Sequence, residues 1–452
     1  MADKKKVIEV KDLSLGFITR GKKSHVLRDI YLDIYEGETL AIVGESGSGK
    51  SVFTKTFTGM LDSNGFISSG SIMFEGKDLV QIKDNDSWLK IRGRKISTIF
   101  QDPMTSLNPL FSIGYQISEV LRLHSKPTKE ELHAWRLERK AAKIVLRDKL
   151  VAMSKEEVQD YHENQRLEKT QAIDKKYGEL LQGHDGKLNF FNKLLYKLDA
   201  IREVNYQINK KPHGLSKKEA KLEAIKLLKK VQIPNAERRY NDYPFQYSGG
   251  MRQRVVIAIA LACRPKVLIC DEPTTALDVT VQSQILQLIK ELQREYNWTT
   301  IFITHDLGVV ANIADRIAVM YGGEIVEYGT AEDIFYRPAH PYTWALLSSL
   351  PQLGSKDEPL SFIPGNPPSF ATEIIGDPFA ERNKYALRID SLVNPPMVKI
   401  SETHNAKTWL LDKRAPKVEP PKVIRELRER MDRASKELLR QEGDLAHGKE
   451  EK

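Results

Sequence analysis

The chain has 452 residues, 40% of them hydrophobic, with a formal net charge of +9 and a pI near 9.1. This length accommodates about two or three domains with a sizeable core, and the basic balance suggests an anionic partner such as nucleic acid, lipid headgroups or a nucleotide without choosing among them. The only two cysteines, Cys263 and Cys270, lie inside apolar runs, which excludes a disulfide framework and predicts buried free thiols in a reducing compartment.

No Cys/His spacing suggests a zinc site. The basic start Met1–Lys6 is followed by no apolar segment of the signal-peptide kind. The longest apolar run, Val255 to Cys263, has nine residues, far short of the ~20 needed to span a bilayer. Together these features predict a cytosolic chain whose membrane role, if any, is peripheral.

In chain order, Val7–Val10, Leu27–Ile34 and Thr39–Val43 read as strands, followed by Ser71–Phe74 and Ile96–Phe100. From about 112 to 232 the pattern is helical. Within it, roughly Lys126 to Gly214 forms a sub-block dense in Lys, Glu and Gln. Leu132, Trp135, Ala142, Val145 and Lys149 fall near one helical face, and Ser154–Glu157 reads as a capping box. His184-Asp185-Gly186 breaks the pattern before Leu188, Phe191, Leu195, Leu198, Asn205 and Ile208 resume it at spacings of three, four or seven. This predicts a helical hairpin standing off the body, either a docking arm or a solvated insertion. From 266 to 335 short apolar strands alternate with helices, which predicts a parallel sheet. After 335 the chain reads as Pro-rich and irregular, with Ile363–Pro368 a rigid turn and Val418–Pro421 a linker. Ile424, Leu427, Met431, Ala434 and Leu438 then form the apolar stripe of a last helix, facing either the body or a partner.

Three motifs carry chemistry. Gly44-Glu45-Ser46-Gly47-Ser48-Gly49-Lys50-Ser51 follows the apolar run Leu40–Val43 as a phosphate cradle follows a buried strand. Its glycines let backbone N–H groups converge on phosphate oxygens, Lys50 suits the β- and γ-phosphates, and the Ser51 hydroxyl suits Mg²⁺. The strand Lys266–Cys270 ends in the paired carboxylates Asp271, placed for Mg²⁺, and Glu272, placed to polarise a water. Tyr247-Ser248-Gly249-Gly250-Met251-Arg252-Gln253 opens a helical pattern and makes a second anion site, redundant unless two chains face each other.

At this point the sequence resembles the ATP-binding-cassette family, whose signature has this Ser-Gly-Gly core, here flanked by Tyr247 and Met251. The resemblance implies further roles, in the family's order along the chain. Gln101 matches the loop glutamine that senses Mg²⁺ and contacts membrane subunits. Ala276-Leu277-Asp278 matches the loop that crosses the dimer interface, and His305 the switch histidine at the γ-phosphate. Phe17 sits near the family's adenine-stacking aromatic, a core role being the alternative. Phe100–Pro109, Ser248–Arg254, Asp271–Thr280, Arg337–Thr343 and Ile363–Pro368 look like the D-type ATPase subunit of oligopeptide and dipeptide permeases, over about 7–125 and 215–400.

That resemblance implies an α/β P-loop fold over 7–335: a RecA-like core, an antiparallel β lobe, and a helical lobe at about 112–265 interrupted by the 126–214 hairpin. An oligopeptide-permease-type extension (336–418) and a terminal amphipathic helix with its tail (419–452) follow. It implies ATP and Mg²⁺ as ligands and an ATPase bound peripherally to the cytoplasmic face of the membrane. Its implied partners are a second related ATPase subunit, forming a heterodimer, two membrane-spanning permeases and an extracellular substrate-binding protein, with no nucleic acid. Many relatives carry a cysteine cluster that holds an iron–sulfur centre in some of them. The corresponding Asp377–Asn383 has no cysteine, so no cluster is expected. Competing readings are another cargo (nickel or glycan fragments), a soluble cassette ATPase acting on ribosomes or DNA, and a regulatory subunit without hydrolysis. Intact Lys50, Asp271, Glu272 and His305 argue against the last.

Overall fold

In the computed structural model the described residues are 5–127, 132–140, 214–275, 277–350 and 362–429. The chain divides into two compact units, Met1–Leu121 with Lys221–Lys452, and Arg122–Ala220.

Among the described residues the first unit holds two sheets. One is antiparallel, in the order β2 (Lys22–Tyr35), β1 (Lys6–Thr19), β4 (Gly65–Phe74) and β5 (Lys77–Asp78). Its first two strands run well past the apolar runs that announce them, pairing from Lys6 with Tyr35 to Thr19 with Lys22. The second sheet has eight strands, in the order β11 (Met397–Lys399), β12 (Asn405–Lys407), β10 (Glu324–Thr330), β9 (Arg316–Tyr321), β3 (Thr39–Val43), β8 (Thr299–Thr304), β7 (Val267–Asp271) and β6 (Ile96–Ile99). The contiguous strands β9, β3, β8, β7 and β6 are parallel.

The expectation of parallel pairing over 266–335 fails at β10, which runs antiparallel to β9. The turn between them at Gly322-Gly323 is too short for the crossover that a parallel neighbour requires. The segment after 335 is also more regular than its composition suggests. A helix spans Pro341–Ser348, and β12 and β11 extend the main sheet beyond β10.

Side-chain alternation explains why the central strands read as continuous apolar runs. Along β3, Leu40 and Ile42 enter the cluster shared with the antiparallel sheet, while Ala41 and Val43 enter a second cluster on the opposite face. Both faces are therefore covered, as a parallel sheet requires. The second cluster is built by the helices Leu307–Ile313, Ala331–Tyr336 and Pro341–Ser348 together with Phe379 and Ile424. Ile424 thus places the start of the last helix on the body, and Leu427 is half-buried, whereas Met431, Ala434 and Leu438 lie outside the described residues. Cys270 is buried and free. Cys263 is also free but only partly buried, because it follows the end of the helix Gly249–Leu261. Burial pushes its thiol up to about 12.

In the second unit the Leu215 N–H donates to Ser125 Oγ at 2.8 Å. Residues 90 positions apart therefore meet at the two ends of the stretch from 126 to 214. Residues 132–140 are helical, and Arg139 lies over the Trp135 ring at 5.3 Å. The capping box at Ser154 and the face formed by Ala142, Val145 and Lys149 lie outside the described residues, as does the pattern from His184 onward. Among the described residues, no helix is long and apolar enough to cross a membrane.

Candidate nucleotide site

The phosphate loop leaves the carboxyl end of β3, where every residue is buried. Gly47 and Gly49 have φ of 80° and 104°, backbone that side chains with a Cβ rarely adopt, so the tight wrap depends on them. Gly49 caps the helix Lys50–Thr56. Lys50 is buried, and its Nζ donates to Gly44 O and Glu45 O, both at 2.8 Å. Burial lowers its pKa, with the charges of Glu272, Asp271 and Glu45 pulling the other way. Ser46 and Gly47 form the exposed tip, whereas Gly44, Ser48 and Gly49 are buried and Glu45 is half-buried.

Neighbouring strands deliver the other groups to the same rim, where ligands bind parallel α/β sheets. Asp271 ends β7, and Ser51 Oγ donates to its Oδ1 at 3.0 Å. Burial raises the Asp271 pKa, the Ser51 hydrogen bond opposes this, and the Glu272 charge adds to it. Glu272 follows in left-handed backbone at φ 47°, its N–H donating to Ile303 O on β8 at 3.0 Å. Such strain in a residue with a Cβ is held by its surroundings and aims the side chain. Gln101 Nε2 and Thr275 Oγ1 both donate to Glu272 Oε2, at 3.2 and 3.1 Å, while Glu272 Oε1 lies 3.2 Å from Nδ1 of His305, just after β8. Gln101 comes from the loop after β6. The structure therefore brings Lys50, Ser51, Asp271, Glu272, Gln101 and His305 to the ends of adjacent strands. Together they offer a phosphate cradle, hard oxygen donors, and a carboxylate with hydrogen-bonding neighbours.

The remaining candidates are not part of this cluster. Ser248 caps the helix Gly249–Leu261, its Oγ accepting from Met251 N at 3.4 Å, and Ser248 and Gly249 are exposed. A Cβ on Gly250 would lie 2.5 Å from Val281 Cγ1, so this helix start presses directly on the next one. Asp278 is exposed and caps the helix Val279–Tyr296, accepting from Val281 N at 2.9 Å, while Ala276 lies outside the described residues. Phe17 is half-buried in β1 and packs against the core between the sheets.

Sequence reasoning missed two groups that reach the phosphate loop from the C-terminal region. The Tyr342 hydroxyl accepts from the Glu45 N–H at 2.8 Å. Arg382 grips the Glu45 carboxylate with both terminal nitrogens, Nη1 to Oε2 at 2.6 Å and Nη2 to Oε1 at 3.0 Å. The segments carrying them, Arg337–Thr343 and Asp377–Asn383, stood out in the sequence, but nothing there connected them to Glu45.

Comparison with known proteins agrees with this geometry. Residues 27–275 match the ABC transporter family, and residues 326–389 match the C-terminal region of oligopeptide/dipeptide transporters. The chain is 48% identical to the oligopeptide transport ATP-binding protein AmiE of Streptococcus pneumoniae, over 95% of this chain and 96% of that protein. It is 44% identical to the dipeptide transport ATP-binding protein DppD of Lactococcus lactis, over 92% and 94% of the two chains. With the oligopeptide transport ATP-binding protein OppD of Bacillus subtilis the identity is 43%, over 93% of each. This chain belongs to the ABC transporter family, in the branch that carries the oligopeptide/dipeptide transporter C-terminal region.

Proposed function

We propose that the chain is the ATP-hydrolysing subunit of an importer that carries oligopeptides or dipeptides across the cytoplasmic membrane, bound peripherally to its cytoplasmic face. The observation that carries the ATPase reading is the convergence of Glu272, His305 and Gln101 beside the Lys50 loop. The peptide reading is supported by the C-terminal region and by the names of the relatives.

ATP lies with its phosphates in the loop Gly44–Ser51 and its γ-phosphate toward Glu272. Phe17 is the candidate for the adenine face. Ser248, Gly249, Gly250 and Met251 take no part in this cluster, and this helix start, exposed at Ser248 and Gly249 and half-buried at Gly250 and Met251, suits the γ-phosphate held by a second chain. Asp278 stands on that same facing surface. In the closed pair Glu272 accepts the proton of the attacking water, and His305 and Gln101 hold Glu272 and the water in line. Reopening after hydrolysis resets the membrane partners. Those partners are a related ATPase subunit in a heterodimer, two membrane-spanning permeases and an extracellular binding protein.

The residues present fit Mg²⁺. A hydroxyl, a carboxamide and a carboxylate desolvated by burial form a hard oxygen set, and Ser51 and Asp271 already share a hydrogen bond. Ser51, Gln101 and Asp271 would hold the ion, which supplies charge neutralisation at the phosphates when bound.

The test is uptake of a labelled peptide by proteoliposomes containing the assembled importer with ATP inside. Uptake lost in the Lys50→Ala variant and present in the parent supports the reading. ATP hydrolysis that the peptide-loaded binding protein does not stimulate, with no peptide accumulated, overturns it.

A further inference from the structure

The phosphate loop is anchored at three points, one from the turn between β9 and β10 and two from the C-terminal region. The Gly323 N–H donates to Ser48 O at 3.1 Å, the Glu45 N–H is taken by Tyr342 Oη, and the Glu45 carboxylate is held by Arg382. Arg382 is the most fully committed of these groups. Besides its two bonds to Glu45, Nη1 donates to Tyr321 Oη at 2.9 Å, Nε to Pro364 O at 2.8 Å and Nη2 to Ile363 O at 3.3 Å. A guanidinium has five N–H groups, and here each has an acceptor. Its side chain is 6% exposed.

Burial works against the guanidinium charge, but the hydrogen bonds to Glu45 and Tyr321 outweigh it and hold the group above its ordinary pKa. Tyr321 and Tyr342 pack against each other at 4.4 Å and against Phe379, so the acceptors are themselves fixed. The turn at Ile363-Pro364 is thereby tied through one side chain to the second residue of the phosphate loop. Lys50 folds onto the carbonyls of Gly44 and Glu45, so the position of Glu45 sets where the lysine starts.

We infer that Arg382 is a positioning residue for nucleotide binding: by clamping Glu45 it presets the phosphate loop, and the C-terminal region thereby sets the affinity for ATP. This rests on the reading of Gly44–Ser51 as the phosphate site. A loop already in its binding shape loses less conformational freedom when ATP arrives, so the clamp acts on affinity before it acts on turnover.

The experiment measures binding of a fluorescent ATP analogue to the full chain with Mg²⁺, together with KM and kcat in the assembled importer. Arg382→Ala is expected to weaken binding roughly tenfold or more and to raise KM more than it lowers kcat. Arg382→Lys, which keeps the charge but not the fork, should recover part of the loss. Adding Glu45→Gln to Arg382→Ala should weaken binding no further, because both act through one contact. Asp390→Asn, a buried change elsewhere in the C-terminal region, should shift Tm without moving the affinity.

Unchanged affinity in Arg382→Ala overturns the inference, and so does a loss that adds in full to that of Glu45→Gln. If Arg382→Ala does not fold, Glu45→Gln and Arg382→Lys carry the test, and normal affinity in both overturns it. Lys50→Ala separates the underlying reading. If it binds the analogue as the parent does, the loop is not the phosphate site and the inference falls with it. If Lys50→Ala loses binding while Arg382→Ala keeps it, only the clamp is wrong.

Discussion

His305 Nδ1 stands 3.2 Å from Glu272 Oε1, the two residues following adjacent parallel strands. Gln101 and Thr275 occupy the other oxygen of the same carboxylate, so Glu272 is fixed from both sides before any water reaches it. Glu272→Gln keeps the size of the side chain and removes only its ability to take a proton. Nucleotide binding should be retained and turnover should fall by ~10²–10⁴-fold. The check is steady-state hydrolysis in the assembled complex beside equilibrium binding. Near-normal hydrolysis would remove Glu272 from the role of base.

Ser51 and Asp271 are paired at 3.0 Å across the mouth of the loop. In Ser51→Ala the hydroxyl is lost and the Asp271 carboxylate loses its hydrogen-bond donor. The Mg²⁺ concentration giving half-maximal hydrolysis at fixed ATP should rise by roughly tenfold or more. Chelation of Mg²⁺ should abolish turnover in the parent. A Mg²⁺ titration of Ser51→Ala that overlays the parent would exclude this hydroxyl as a metal ligand.

Asp377 is buried in the C-terminal region, with Oδ1 accepting from Phe379 N at 2.9 Å and Oδ2 without a partner. Burial drives its pKa from 3.8 up to about 7, the backbone bond to Phe379 opposes this, and the charges of Asp390 and Glu324 add to it against Lys407. Between those two values the folded chain holds a proton that the unfolded chain has released, so stability falls as pH rises through this window. Below it the penalty is absent, and above it the penalty is complete and constant. Asp377→Asn should therefore raise Tm at pH 8, with the advantage shrinking from pH 7 toward pH 4. Thermal unfolding of both chains across that range is the check. An advantage that grows toward low pH would reverse the assignment.

The parts of the site legible in the sequence are those whose chemistry is local. Leu40–Val43, the glycines and Lys50 lie within one short stretch, Asp271 ends an apolar strand, and Glu272 and His305 each follow one directly. A buried parallel strand reads the same wherever it sits, which is why β3, β7 and β8 were recognisable. The strands β11 and β12 were not, because each has three residues and adds to the edge of an existing sheet without an apolar run. The antiparallel turn into β10 was missed for a related reason, since apolar periodicity carries no strand direction. Arg382 and Glu45 are 337 residues apart, and each alone is an ordinary charged residue. Only the folded chain reveals that a conspicuous Pro-rich segment serves the loop at the other end.

The start of the helix Gly249–Leu261 and the helix Val279–Tyr296 meet at Gly250 and Val281, and this contact separates two otherwise similar glycines. A Cβ on Gly249 would meet Leu277 Cδ2 at 3.7 Å, an ordinary contact, whereas one on Gly250 would lie 2.5 Å from Val281 Cγ1. Gly250→Ala must therefore push Val281 aside, at about 1–3 kcal/mol as in other overpacked sites, and Gly249→Ala should cost far less. Val281→Ala removes the offending methyl groups, so combined with Gly250→Ala it should restore the Tm lost by the single change. Gly250 also lies in the first turn of the helix proposed to face the γ-phosphate of a second chain, where on that proposal a bare backbone leaves room for the phosphate whatever residue 281 is. The double variant should therefore recover Tm without recovering ATP-dependent pairing or turnover. Calorimetry and hydrolysis measured on the same samples distinguish the two effects, and full recovery of turnover along with Tm would show that this glycine serves packing alone.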